Sequence, residues 1–461
     1  MLTKQQAAEI FARLSKLTSA ELELTISSAD FSLTRFANNG IHQNVSDSGV
    51  SVSIRTAFDG KTARATTNKI DDESLRRALE AAEQLTRVQA ADPEMLPMAG
   101  AMGQPDGAPM RHFAETAALT PEDRAAAVGR IVDVAKKNNV VAAGIYSSGS
   151  SFDAILNSNG LAQFHEQTLA EISITMLSDA TRSSGWRKAN SPNVRDLAPE
   201  QMAEVAVSKA LESAEPREIP LGKYTVILEP SAVLDLVGFM FQDFGGQSLL
   251  DERSFLNDRL GQKLFADSIT IHDDAYHPMQ SGQPWDGEGV PKQRVTLVEK
   301  GVIKNLVYAR SSAERIAKSA LAQKLGPVRP TGHGFPLPND VGDMPTNIVF
   351  SGPPAGEART VEQMIAETES GILVTRCWYI REVEPYQKVL TGMTRDGTFL
   401  IENGKKKHGI RNFRFNQGLV ELLQNILAMS EPGRAAGEEA FDMVVPALKV
   451  QDFNFTSVTK F

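Results

Sequence analysis

The 461-residue chain holds one cysteine, Cys377, which rules out an intramolecular disulfide framework and any zinc site built from cysteines alone. A reducing compartment is expected, with the cytoplasm as the location. Histidines number seven and are scattered along the chain. No run approaches the roughly 18 apolar residues that span a bilayer, so no membrane contact is expected. The opening residues MLTKQQAAEIFARL have helical spacing and mixed charge rather than the continuous apolar core of a signal peptide. Basic charge is in short supply as well. With 48 Lys and Arg against 57 Asp and Glu, the formal net charge is −9. Phosphate neutralisation needs an excess of the opposite sign, so direct nucleic-acid binding is not expected. The one local basic cluster, Lys405, Lys406, Lys407, His408, Arg411 and Arg414, reads as a solvated hairpin edge on which lysine blocks unwanted pairing.

What is present is the composition of a folded protein, with 41% hydrophobic and 23% charged residues. The length predicts two to four domains. Thr3 and Gln6 form a capping-box pattern ahead of a helix to about Leu17. Alternating segments follow, from ELELTISSAD to KTARATTN, with Asn39-Gly40 and Asp59-Gly60 as turn signals of an antiparallel meander. DDESLRRALEAAEQL closes this unit as a second helix with acidic residues at its positive end. Residues 89–119 are rich in Pro, Gly, Ala and Met and read as a linker or wrapping loop. Pro121 opens a second unit of helix, strands and helix, ending near Ser213. Beyond Gly222 the pattern turns to short strands with Gly, Pro and Asp-Gly turns. The expected class is α+β: N-terminal and central units of antiparallel strands with flanking helices, then a large β-rich C-terminal domain. The expected boundaries are 1–90, a linker at 91–119, 120–216 and 217–461.

Few constellations offer chemistry. His272, Asp273 and His277 lie close together at a strand end and could supply three zinc ligands, or Asp273 and Asp274 could simply close a turn. His165-Glu166 begins like a zincin motif, but position 169 is Leu and the alternation of FHEQTLAEISIT puts the two side chains on opposite faces. The serine run YSSGSS has no strand-to-helix elbow and reads as a polar hairpin. Cys377, within ILVTRCWYIR, reads as a buried inert thiol. Residues 233–254, VLDLVGFMFQDFGGQSLLDERS, space Val233, Leu236, Val237, Met240, Phe241 and Phe244 as one buried helical face. Asp235, Gln242, Asp243 and Gln247 remain for hydrogen bonding, with no His, Cys or Glu pair to grip a metal.

Three stretches, TRFANNGIHQ with VSVSIRTAFDGKTARATTN, WDGEGVPKQRVTLVEKGVIKNLVYARSSA, and LTGMTRDGTFLIENGK, resemble the ordered blocks of the TldD/PmbA family, and the match runs from about Arg35 to Gly418. The family is known as modulators of DNA gyrase and as zinc metallopeptidase components. In its TldD branch a C-terminal helix carries HExxxH and a later Cys completes the zinc site. The resemblance puts that helix on VGFMFQDFGG, where neither His nor the Glu is present, and no Cys follows Gly418. It therefore implies the PmbA/TldE branch: a helix without its chemistry around Gln242, Asp243 and Gln247, and no catalytic residue or cofactor in this chain. Zinc is expected only in a TldD-like partner. The resemblance implies a cavity shared with that HExxxH-bearing chain, taking unstructured peptide along strand edges at Arg376, Trp378, Tyr379, Arg381, Thr391 and Gly392. The alternatives are a stand-alone homodimer that binds peptides or proteins, and a peptidase with a metal at His272, Asp273 and His277.

Overall fold

The computed structural model describes residues 1–103, 105 and 107–459. Gln104 and Asp106 of the expected wrapping loop, and the last two residues, lie outside the described residues.

The first unit runs α1 (Lys4–Leu14), β1 (Glu21–Ala37), β2 (Gly40–Phe58), β3 (Lys61–Thr67) and α2 (Asp72–Val88). Both arms of the Thr3 and Gln6 capping box are made. Two-residue turns join the strands, with Asn38 and Asn39, then Asp59 and Gly60, all at positive φ, the twist that matches antiparallel strands. The strands are longer than the turn signals suggest, because the first two meander segments fuse into β1 and the next two into β2. The second unit repeats the plan: a short α3 (Ala114–Ala117), then α4 (Pro121–Lys137), β4 (Val141–Asn157), β5 (Ala162–Ser178), β6 (Ser183–Ser191) and α5 (Pro199–Glu212).

The two units share one sheet of order β3-β2-β1-β4-β5-β6, with β1 and β4 paired antiparallel from Glu23 to Phe36. On β4, Ala142 and Tyr146 pack under α4 and α5, while Phe152, Ala154 and Leu156 pack under α1 and α2. All five have even numbers on a strand in continuous register, so the four helices cover one face. YSSGSS is not a hairpin but the middle of β4. There the Ser148 hydroxyl accepts from buried Arg124 at 3.1 Å, and glycine is required at 149 because a Cβ would stand 2.8 Å from the Asp30 carbonyl. The segment after α2 wraps the opposite face, where Asn157 and Asn159 donate to the carbonyls of Ala99 and Met98 at 2.8 and 3.0 Å.

The C-terminal domain comprises β7 (Gly222–Leu228), α6 (Pro230–Val237), a 3₁₀ turn (Gly238–Phe244), α7 (Gly246–Leu250), β8 (Ile271–Asp273), β9 (Val295–Glu299), β10 (Val302–Ile303), α8 (Arg310–Lys318), β11 (Ile348–Phe350), β12 (Ser370–Glu384), β13 (Val389–Glu402), β14 (Lys405–Gly409), β15 (Phe413–Gly418), β16 (Ile426–Met429), β17 (Gly433–Ala435), β18 (Met443–Val445) and β19 (Leu448–Val458), with further short helices between. One sheet has the order β10-β9-β8-β11-β18-β17. In the other, β12-β7-β19-β15-β13 closes into a ring because β12 also pairs with β13. Phe413, Phe415, Phe453 and Phe455 stack along β15 and β19 with centroids 4.9 to 5.4 Å apart. Among the described residues the lysine-rich β14 pairs only with β13, as an edge should.

Candidate functional site

All six apolar residues of the 233–244 face are buried. They do not form one helix. A helix turn gives way to 3₁₀ at Gly238 and breaks at Gly245 and Gly246, where a Cβ would lie 2.2 Å from the Asp343 carbonyl and 2.6 Å from the Tyr308 ring. Close backbone approach has replaced the continuous helix that the spacing predicts.

The 3₁₀ turn floors a cleft of about 440 Å³, which Gln242 and Asp243 line together with Ser248, Glu382, Lys388 and Glu439. Asp243 accepts the Phe255 N–H at 2.9 Å through Oδ1, and its Oδ2 lies 2.5 Å from Lys388 Nζ. The same ammonium reaches Glu382 at 2.7 Å. Burial pushes the Asp243 carboxyl upward and Lys388 opposes the rise. Gln247 faces elsewhere: it donates to Asp251 at 2.8 Å, accepts from Arg315 at 2.9 Å and lines a separate cavity of about 630 Å³.

Behind the floor, Asp235 is fully buried. Its Oδ1 accepts the N–H groups of Glu438 and Glu439 at 3.1 Å each, and its Oδ2 has no partner in the described residues. Burial pushes this carboxyl up to about 7. Glycine is needed at 437, since a Cβ would sit 2.3 Å from Asp235 Oδ1. Glu439 in turn accepts the N–H of Tyr379 at 2.6 Å. Tyr379 has φ of 53° at a bulge where the pairing with β13 shifts between Trp378 and Arg381. A non-glycine residue there carries strain, which gathers at functional positions. The Arg381 guanidinium stacks 4.4 Å from the exposed Tyr379 ring.

The residues expected to hold peptide divide. On the side away from β13, β7 pairs with β12 only from Ile372 to Val374, so the β12 edge past Val374 has no strand partner among the described residues. Tyr379 and Arg381 lie on that stretch, beside the cleft. Thr391 and Gly392 do not offer an edge, because β13 is paired there with β15 as well as β12. Arg376 is no cleft residue either. It is buried, makes two hydrogen bonds to Asp396, one of them 2.9 Å, and stacks 4.5 Å over Trp186. Trp378 is held between Arg376 and Arg395 at 5.4 and 4.7 Å.

His272, Asp273 and His277 are not brought together as ligands. His272 contacts Thr296 at 3.1 Å and Ser351 at 3.2 Å, on the opposite face of β8 from Asp273. Asp273 is fully buried, paired with His333 at 2.8 Å, and accepts the N–H groups of Thr346 and Asn347. His277 Nδ1 accepts the Met279 N–H at 3.2 Å. Cys377 is fully buried and its thiol is pushed well up by burial, as an inert thiol should be. His165 and Glu166 point to opposite faces, with His165 edge-on to Trp285 at 5.8 Å.

Family comparison covers nearly all of this architecture. The model of the PmbA/TldA metallopeptidase C-terminal domain matches residues 221–457, domain 1 matches 23–86 and the central domain matches 114–214. The chain belongs to the TldD/PmbA family. An uncharacterised protein of Methanocaldococcus jannaschii is 27% identical over 58% of this chain and 62% of its own length, so the chain spans less than two thirds of that relative. The metalloprotease PmbA of Escherichia coli O157:H7 is 23% identical over 82% of this chain and 80% of its own. Among solved structures, TldE from Thermococcus kodakarensis superposes with a TM-score of 0.84 at 21% identity, over 98% of this chain and all of that one. A Thermotoga maritima protein described as a modulator of a DNA gyrase gives 0.83 at 20% identity over 98% of this chain and 100% of its own. At these identities the structural likeness shows the fold. No helix among the described residues is long and apolar enough to cross a membrane.

A zinc ion does not fit the residues of the cleft floor. Both Asp243 oxygens are engaged, one by a backbone N–H and one by an ammonium, and Gln242 offers only an amide. Lys388, Glu382 and Glu439, which build the cleft with Asp243, had no motif to announce them; only the contact across the fold reveals them.

Proposed function

We propose that this chain is the non-catalytic, TldE-like member of a cytoplasmic peptidase pair, which holds unstructured peptide while an HExxxH-bearing partner supplies the zinc. The observation that supports the reading most is the Lys388 ammonium between Asp243 and Glu382. A fixed cation stands beside the turn where the family resemblance puts a metal-binding helix, and it repels a second cation. Peptide would pair with the open edge of β12 past Val374, which borders the cleft. The partner would rest on the β12–β13 hairpin, whose Tyr379, Val383 and Tyr386 are 52%, 48% and 58% exposed.

The test is cleavage of an unstructured peptide by the purified chain, zinc-loaded and with a chelator control, alone and mixed with an HExxxH-bearing relative from the same genome. Cleavage only in the mixture is the expected outcome. Chelator-sensitive cleavage by this chain alone would overturn it. Sedimentation of the mixture addresses the stand-alone alternative, because a stable homodimer that ignores the partner would make the chain a peptide-binding regulator.

A further inference from the structure

A third cavity, of about 260 Å³, lies where the helix-free face of the six-stranded sheet meets the C-terminal domain. It is smaller than the roughly 300–1,000 Å³ typical of drug-sized ligand sites, so its occupant is a small solute. Four charged or ionisable side chains that line it decide the chemistry.

Two of the four are already matched. Asp286 accepts three backbone N–H groups, from Glu288, Val290 and Gly334, each within 2.9 Å. His333 is held between Asp273 and Thr331 at 2.8 and 2.9 Å. The other two lack a direct partner of opposite charge among the described residues. Lys292 Nζ donates to the neutral oxygens of Thr346 and Asn347 at 2.9 and 2.8 Å, which leaves one of its three N–H groups over. Among the described residues it forms no direct ion pair, whereas Lys209 and Lys388 do; the carboxylates of Asp273 and Asp286 act on it from further off. Asp153, on β4, is held by Ser27 and Gln283 with no cation paired to it among the described residues, and burial pushes its carboxyl upward. A partly desolvated charge gains from a direct partner of opposite charge, and neither Lys292 nor Asp153 has one among the described residues.

We infer that the cavity binds a small zwitterion, a free α-amino acid with an apolar side chain, whose carboxylate meets Lys292 and whose ammonium meets Asp153. One such ligand would give each group a direct partner of opposite charge. The apolar side chain has a surface to rest on in Trp285, Phe335 and Met344, which line the same cavity. This site adjoins the 440 Å³ cleft at Met344 but has its own charged lining and needs no partner chain, so its test does not depend on the peptidase pairing.

The experiment is isothermal titration calorimetry of the full chain with L-leucine, N-acetyl-L-leucine and L-leucinamide. Leucine should bind, and each derivative, having lost one charge, should bind about tenfold or more weakly, the size of one charge-assisted hydrogen bond. Asp153→Asn should weaken leucine by a similar factor and leave N-acetyl-L-leucine unchanged, with the melting curve of the variant as the control for folding. Equal affinity for all three compounds, or no heat with leucine, methionine or phenylalanine, would overturn the inference on the unaltered protein.

Discussion

Glu439 accepts the backbone N–H of Tyr379 at 2.6 Å while its own N–H donates to Asp235. One residue thus joins the buried helix α6, the loop at 437–441 and the strained bulge of β12. Any strand adding to that edge at Tyr379 would need the N–H that Glu439 now holds.

Replacing Lys388 by Met leaves Asp243 and Glu382 without their shared cation, on side chains 7% and 26% exposed. Breaking a buried pair from one side costs about 3–5 kcal/mol, and the partly exposed Glu382 puts this case toward the lower end. Without Lys388 the Asp243 carboxyl rises further above its unfolded value. A raised pKa gives stability that is present at low pH and lost as pH rises, so the deficit in urea denaturation should be larger at pH 8 than at pH 5.

Asp235 carries the same sign in the native protein. Its carboxyl is pushed from 3.8 to about 7, chiefly by burial, so the folded state holds a proton that the unfolded chain releases. Its contribution is present below about pH 4 and lost as pH rises through about 7. Across that window a shift of this size is worth up to about 4 kcal/mol. Asp235→Asn keeps an oxygen for the N–H groups of Glu438 and Glu439 and removes the titration. The variant should match the parent at pH 4.5 and exceed it at pH 8 in urea denaturation.

Arg376 bridges the central sheet and the closed ring through Asp396, which also accepts the Ser184 hydroxyl at 2.6 Å. Lysine keeps the charge but cannot reproduce the fork or the stacking on Trp186. Arg376→Lys should cost about 1.5–3 kcal/mol in thermal or urea unfolding. It should also shift the tryptophan emission of the folded protein, because Trp186 and Trp378 both face the guanidinium.

Caps, two-residue turns and the buried stripe at 233–244 could be read from the sequence because each is decided within a few residues. The break in that stripe could not, since Gly245 and Gly246 are dictated by Asp343 and Tyr308, far along the chain. The cleft was half legible. Gln242 and Asp243 fell inside an expected segment, whereas Lys388 and Glu439 reach it from loops whose composition carries no signal. Arg376 looked like a cleft residue because alternation fixes the face of a strand but not what lies against it. Here that is Trp186 of another unit.

The shared sheet has a consequence for dissecting this protein. A fragment ending near residue 90 would leave β1 without its neighbour β4 along Glu23 to Phe36, a long bare edge seeking another chain. The first two units are therefore expected to melt and refold together, and a protease nick in the wrapping segment should leave both pieces travelling as one particle.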